Sequence, residues 1–183
     1  MNNVIIHVFI MSFLCCSLTT AALTSLVLPI CTYISKADPE NVNYESCISI
    51  LGSDPRSSIS TAPQLARISF ELDITRAKTI SSTIDTLLKL SVSDPLASNA
   101  LKDCSSVYSR IPGDLESGLE AIKDGDFDTA SARVSAAMNA AITCEIGIKE
   151  KKGNIAPLHK EISEFYQLGA ISLGFTILLR IIN

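Results

Sequence analysis

The chain has 183 residues, with 15 Lys and Arg against 19 Asp and Glu, a formal net charge of -4, and 47% hydrophobic residues. Nucleic acid and anionic lipid surfaces select basic faces, so this mild acidity argues against either as a partner. The length is enough for one domain with a sizeable core.

Val4 to Leu18 (VIIHVFIMSFLCCSL) is a nearly unbroken apolar run, followed by the small residues Thr20-Ala21-Ala22. This layout predicts a signal peptide over 1–22, cleaved after Ala22, although its n-region has no Lys or Arg. A run of about 15 residues is short of the roughly 20 that a span needs; an uncleaved anchor is the alternative. Removing the leader takes His7, Cys15 and Cys16, so six cysteines become four and two histidines become one. An even cysteine count fits a disulfide framework in an oxidising compartment, and the mature chain is expected to be extracellular. It contains no Asn-x-Ser/Thr sequon.

The remainder, 23–183, reads as helix throughout, with no sustained period-2 alternation. One helix is expected over about Ser25 to Ala37, a turn at Asp38-Pro39-Glu40, and a second helix over about Val42 to Leu51, with Gly52 as a left-handed terminator. The polar stretch Ser53 to Ser60 reads as a linker. A long helix over Ala62 to Leu90 opens on Thr61 and Gln64 at capping-box spacing. The next starts at Asp94-Pro95 and carries Pro112 inside it, which predicts a kink near Tyr108 because a backbone hydrogen bond is lost. Asp126 caps a helix running to about Lys152 and stopped by Gly153, with Phe127, Ala130, Val134, Ala137, Ala141, Cys144 and Ile148 on one face. The last helix covers about Leu158 to Ile182, and its second half is apolar almost all round. An anchor or a GPI signal would read similarly, but Arg180 and an apolar run of about 15 residues favour a central bundle helix.

Four cysteines allow three pairings, and helical geometry chooses among them. Cys104 lies about 21 residues before Gly125 and Cys144 about 19 after it, so both sit roughly 30 Å from one turn at 1.5 Å per residue. Cys31 and Cys47 lie symmetrically about Pro39. Two antiparallel helical pairs, each closed by its own bridge, predict Cys31–Cys47 and Cys104–Cys144. The fold class follows as all-α: a helical hairpin (23–52) followed by an up-and-down four-helix bundle (61–183), with two disulfides.

Catalytic chemistry is not legible. His159, the one mature histidine, has no nucleophile motif such as G-x-S-x-G to serve, and reads as a first-turn surface residue. Paired cysteines leave no free thiol, and neither zinc spacing nor a Gly-rich phosphate loop occurs. Asp124, Asp126 and Asp128 lack the Gly and Glu of a calcium loop and read as turn and helix-start charges. No enzyme, cofactor or metal is expected.

Several segments carry a family resemblance: "ICTYISKADPENVNYESCISILGSDPRS" (Ile30–Ser57), "LKDCSSVY" (Leu101–Tyr108), "GDFDTASARVSAAMNAAITCEIGI" (Gly125–Ile148) and the apolar last helix. The chain resembles plant inhibitors of invertase and pectin methylesterase over essentially its whole mature length. "NVNYESC", "ITCEIGIKEKKG" and "QLGAISL" are similar to the pollen proteins described as invertase inhibitors, typified by a major plane-tree pollen allergen. The resemblance implies a secreted cell-wall (apoplast) protein, monomeric and free of the membrane, that blocks the active-site cleft of an invertase or a pectin methylesterase. A non-inhibitory binding protein on the same scaffold is the third reading. Invertase inhibitors carry Pro-Lys-Phe where this chain has Phe127-Asp128-Thr129. The pectin methylesterase branch is similar at "GDF" and at Thr143, a residue that contacts the esterase there. Phe127, Asp128, Thr129 and Thr143 are therefore the candidate contact residues.

Overall fold

The computed structural model describes residues 25–90, 94–150 and 156–183. The expected signal peptide and the stop at Gly153 lie outside these residues. In chain order the helices are α1 (Val27–Ala37), α2 (Tyr44–Gly52), a 3-10 turn (Pro55–Ile59), α3 (Ala62–Leu90), α4 (Pro95–Tyr108), α5 (Ile111–Asp124), α6 (Phe127–Glu150) and α7 (Ala156–Ile182).

Polar side chains start several of these helices by satisfying amides that have no helical partner. Asn43 Oδ1 accepts from Ser46 N–H at 2.9 Å. Asp94 Oδ1 accepts from the N–H groups of Leu96 and Ala97, with Pro95 beside it in the first turn. Gln64 reaches back to accept from Thr61 N–H at 2.8 Å.

Three local expectations are corrected. Gly52 stays inside the last turn of α2, and Gly125 is the glycine with positive φ among the described residues. Ser53 ends α2 instead, its N–H donating to Ser49 O and its hydroxyl to Ile50 O. The Ser53–Ser60 linker is partly ordered as the 3-10 turn, capped by Asp54 Oδ1, which accepts from Arg56 N–H. The kink at Pro112 is a full break: α4 stops at Tyr108, α5 starts at Ile111, and Pro112 falls in the first turn of α5. There its missing N–H costs nothing, because first-turn amides have no intrahelical acceptor.

The bundle is a closed ring in which α3 and α6 each pack on both α7 and the α4–α5 rod. Phe70, Tyr108, Phe165 and Phe175 fill its centre together with Leu65, Ile80, Ile84, Leu101 and Leu115, all fully buried. Each such side chain contributes about 1.5–3 kcal/mol by leaving water. Leu158–Ile182 is long and apolar enough to cross a membrane by length and composition. In the fold its Leu158, Ile162, Phe165, Ile171 and Phe175 are spent on this core.

The hairpin of α1 and α2 leans on the bundle through both helices, α1 against α7 and α2 against α3 and α7. At the crossing of α1 and α7 a Cβ on Gly174 would collide with Ile34 Cγ2, so only glycine admits this approach. Cys31–Cys47 closes the hairpin with Cα atoms 5.7 Å apart, and Cys104–Cys144 ties α4 to α6 at 4.8 Å.

Candidate functional site

The corner between α5 and α6 is built by a Schellman ending. Gly125 adopts φ 74°, which lets its N–H reach Ile122 O and lets Asp126 N–H reach Ala121 O at 2.9 Å. Asp126 then turns from terminator to cap. Its Oδ1 accepts from Thr129 N–H at 3.0 Å. The Thr129 hydroxyl and N–H together hold the Asp126 carboxyl below the usual carboxylate range.

The candidate residues therefore divide by role. Thr129 braces the start of α6. Phe127 is half-buried and packs against the core. Asp128 is exposed and accepts from Arg180 Nη1 at 2.6 Å, a pairing that brings the end of α7 to the corner. Gly125, Asp126, Phe127, Asp128, Arg180 and Asn183 line one shallow depression there. Neither Arg180 nor Asn183 is visible from the α6 sequence, because they approach from 52 residues or more away.

Thr143 is not at this corner. Fifteen residues separate it from Asp128, so it lies roughly 22 Å further along α6. It is exposed, and its hydroxyl donates to Asn139 O at 2.9 Å. The two places share a face. Ala130, Val134, Ala137, Ala141, Cys144 and Ile148 point into the core. Thr129, Ala132, Ala136, Asn139, Thr143 and Ile146 are exposed at spacings of three and four, forming one outward stripe of mostly small residues. The same period that located the core face contains this stripe as its complement.

At the opposite end of the bundle, all four walls send a polar group inward. Tyr108 is fully buried, its ring edge-on to Phe165 at 6.1 Å, and its hydroxyl has no partner. Burial pushes its phenol up, with Glu145 and Glu161 adding to the effect. Thr83 donates to Glu161 Oε1 at 3.4 Å. His159 is not the plain surface residue expected: its Nδ1 is buried, without a hydrogen bond, and 3.6 Å from Glu145 Oε1. No serine, threonine or cysteine among the described residues bonds to it, so His159 is not placed to activate a hydroxyl or thiol there. Nor do three His, Cys, Asp or Glu side chains converge there to hold a metal ion.

A groove of about 660 Å³ runs between α2, α3 and α7, with Ser46, Ser49 and Gln167 along it and an Arg76–Glu164 ion pair of 3.3 Å on its wall.

The family model described as "Plant invertase/pectin methylesterase inhibitor" matches residues 26–174. The chain belongs to the plant invertase/pectin methylesterase inhibitor family. A plane-tree protein, the "Putative invertase inhibitor" of Platanus acerifolia, is 37% identical over 81% of this chain and 82% of its own length. "Cell wall / vacuolar inhibitor of fructosidase 2" of Arabidopsis thaliana is 30% identical over 63% of this chain and 64% of its own. A crystal structure of a mutant pectin methylesterase inhibitor from Arabidopsis superposes with a TM-score of 0.70, covering 79% of this chain and 95% of that one at 22% identity. That likeness bears on the fold alone, an all-helical bundle. The proteins so named are inhibitors of carbohydrate-active enzymes.

Proposed function

We propose that this protein is a secreted, non-catalytic inhibitor that lays the outward stripe of α6 and its corner at Phe127–Thr129 against a cell-wall carbohydrate enzyme, in the first place an invertase. The observation that carries this reading is the stripe itself. Thr129, Ala132, Ala136, Asn139, Thr143 and Ile146 form a smooth ridge along a helix tied by Cys104–Cys144. Small side chains let another protein's backbone come close, and a preorganised helix loses little entropy on docking. The identity to the plane-tree protein named as an invertase inhibitor supports the choice of target. The protein acts as a monomer in the apoplast, with α7 spent on its own core rather than on a membrane, and it needs no cofactor.

A second reading is pectin methylesterase inhibition. It is favoured by exposed Thr143 and by Phe127-Asp128-Thr129 in place of Pro-Lys-Phe. Titrating a cell-wall invertase and a pectin methylesterase in parallel with the purified 23–183 protein at acidic pH separates the two. Loss of invertase activity at stoichiometric protein is the expected result, and loss of esterase activity alone selects the second reading. If neither enzyme is bound or inhibited, both readings fail and a non-inhibitory binding protein on this scaffold remains.

A further inference from the structure

One carboxyl in the centre of the bundle has no role in the docking surface. Asp73 of α3 is 0% exposed. Ser172 of α7 donates its hydroxyl to Asp73 Oδ2 at 2.5 Å, and Oδ1 has no partner. The inward-turned Glu145 and Glu161 belong to the far end of the bundle beside Tyr108, and the other charged groups named here pair at the surface. Arg76 of α3 pairs with Glu164 of α7, Lys78 of α3 with Glu116 of α5, Arg133 of α6 with Asp114 of α5, and Arg180 of α7 with Asp128 of α6. Glu71, at the near end of α3, is taken by Arg56. An ion so placed would have lost its water and gained one hydrogen bond, and such a group sheds its charge instead.

We propose that the Asp73–Ser172 pair makes the bundle an acid-adapted fold, most stable in an acidic medium and weakened as the pH rises toward neutrality. The folded chain holds Asp73 as a neutral acid. Desolvation raises its carboxyl well above the ordinary value, and the Ser172 hydrogen bond only partly opposes this. In the unfolded chain the same group ionises near about pH 4. Below that value both states carry the proton and Asp73 adds no pH dependence. Above it the folded state binds one proton more than the unfolded state, so stability falls with rising pH until the folded carboxyl itself ionises. A secreted protein with this core is at its firmest in acid and easier to unfold and degrade in a neutral medium. The inference stands whether or not the chain inhibits an enzyme.

Asp73→Asn keeps an acceptor for Ser172 and removes the titration. Thermal midpoints of the full mature protein, taken from about pH 4 to pH 7.5, should fall in the wild type by roughly 3–5 °C per pH unit more than in the variant. Ser172→Ala, which removes the donor favouring the charged form, should carry the fall to higher pH. Because the Asn variant can fail to fold, the wild-type Asp73 carboxyl carbon is also followed by NMR, and it should keep its protonated shift well past the pH at which an unfolded aspartate ionises. An Asp73 that ionises in the ordinary carboxylate range, or equal pH slopes in the wild type and a folded Asn variant, overturns the proposal.

Discussion

At the scale of single residues, two side chains do what their type alone would not suggest. Asp126 is an exposed cap whose carboxyl is held low, so what it adds is present above the unfolded value and is lost as the pH falls through the folded one. Asp73 acts with the opposite sign: what it adds is present in acid and is lost as the pH rises through the folded value. Gly174 is the second lesson. Its missing Cβ is where Ile34 rests, so Gly174→Ala should destabilise the protein by about 1–3 kcal/mol through overpacking, as read by urea unfolding. The double variant with Ile34→Ala should recover part of the packing strain, and strict additivity of the two costs would refute the contact as the cause.

At the scale of elements, the hairpin and the bundle are held by different means. Helices of 11 and 9 residues are marginal alone, and α1–α2 depend on Cys31–Cys47 and on the seat against α7. In the chain-entropy model the bridges, with separations of 16 and 40 residues, contribute about 3 and about 4 kcal/mol. Replacing Cys31 and Cys47 by Ser should speed amide exchange over 27–52 while protection in α3 and α6 persists. Equal loss across both parts would show that they open together. Helix starts were legible at this scale because a cap is a local event: Thr61/Gln64, Asp94-Pro95 and Asp126 mark α3, α4 and α6 to the residue. The break after Tyr108 was legible only as a kink. Pro112 disfavours continuing the helix, but the sequence does not say whether the rod bends or restarts one turn earlier.

At the scale of the whole molecule, the outward face of α6 is the feature that predicts function. Thr143→Arg places a long cation on the smooth stripe, where the exposed site tolerates it. It should weaken inhibition at least about tenfold while moving the thermal midpoint by less than about 2 °C. Undiminished inhibition by this variant would take Thr143 and the middle of α6 out of the interface. The pairing of Arg180 with Asp128 contributes little to stability, because exposed ion pairs are screened and cost side-chain entropy. Its structural effect is to bring the chain's end beside the start of α6.

The sequence by itself determined which segments are helical, where most of them start, which face of α6 points inward, and that four cysteines lie at matched heights about two turns. All of these follow from helical period, caps and rise per residue, which act within a few residues along the chain. Tertiary structure alone decided that Asp73 lies in the dry centre opposite Ser172, that His159 tucks its ring against Glu145, and that Arg180 meets Asp128. α7 is apolar on nearly every side, so its own pattern cannot say which neighbour each residue meets. α3 and α7 each carry polar side chains whose burial depends on partners about 100 residues away, and only the packed bundle brings those partners within bonding distance.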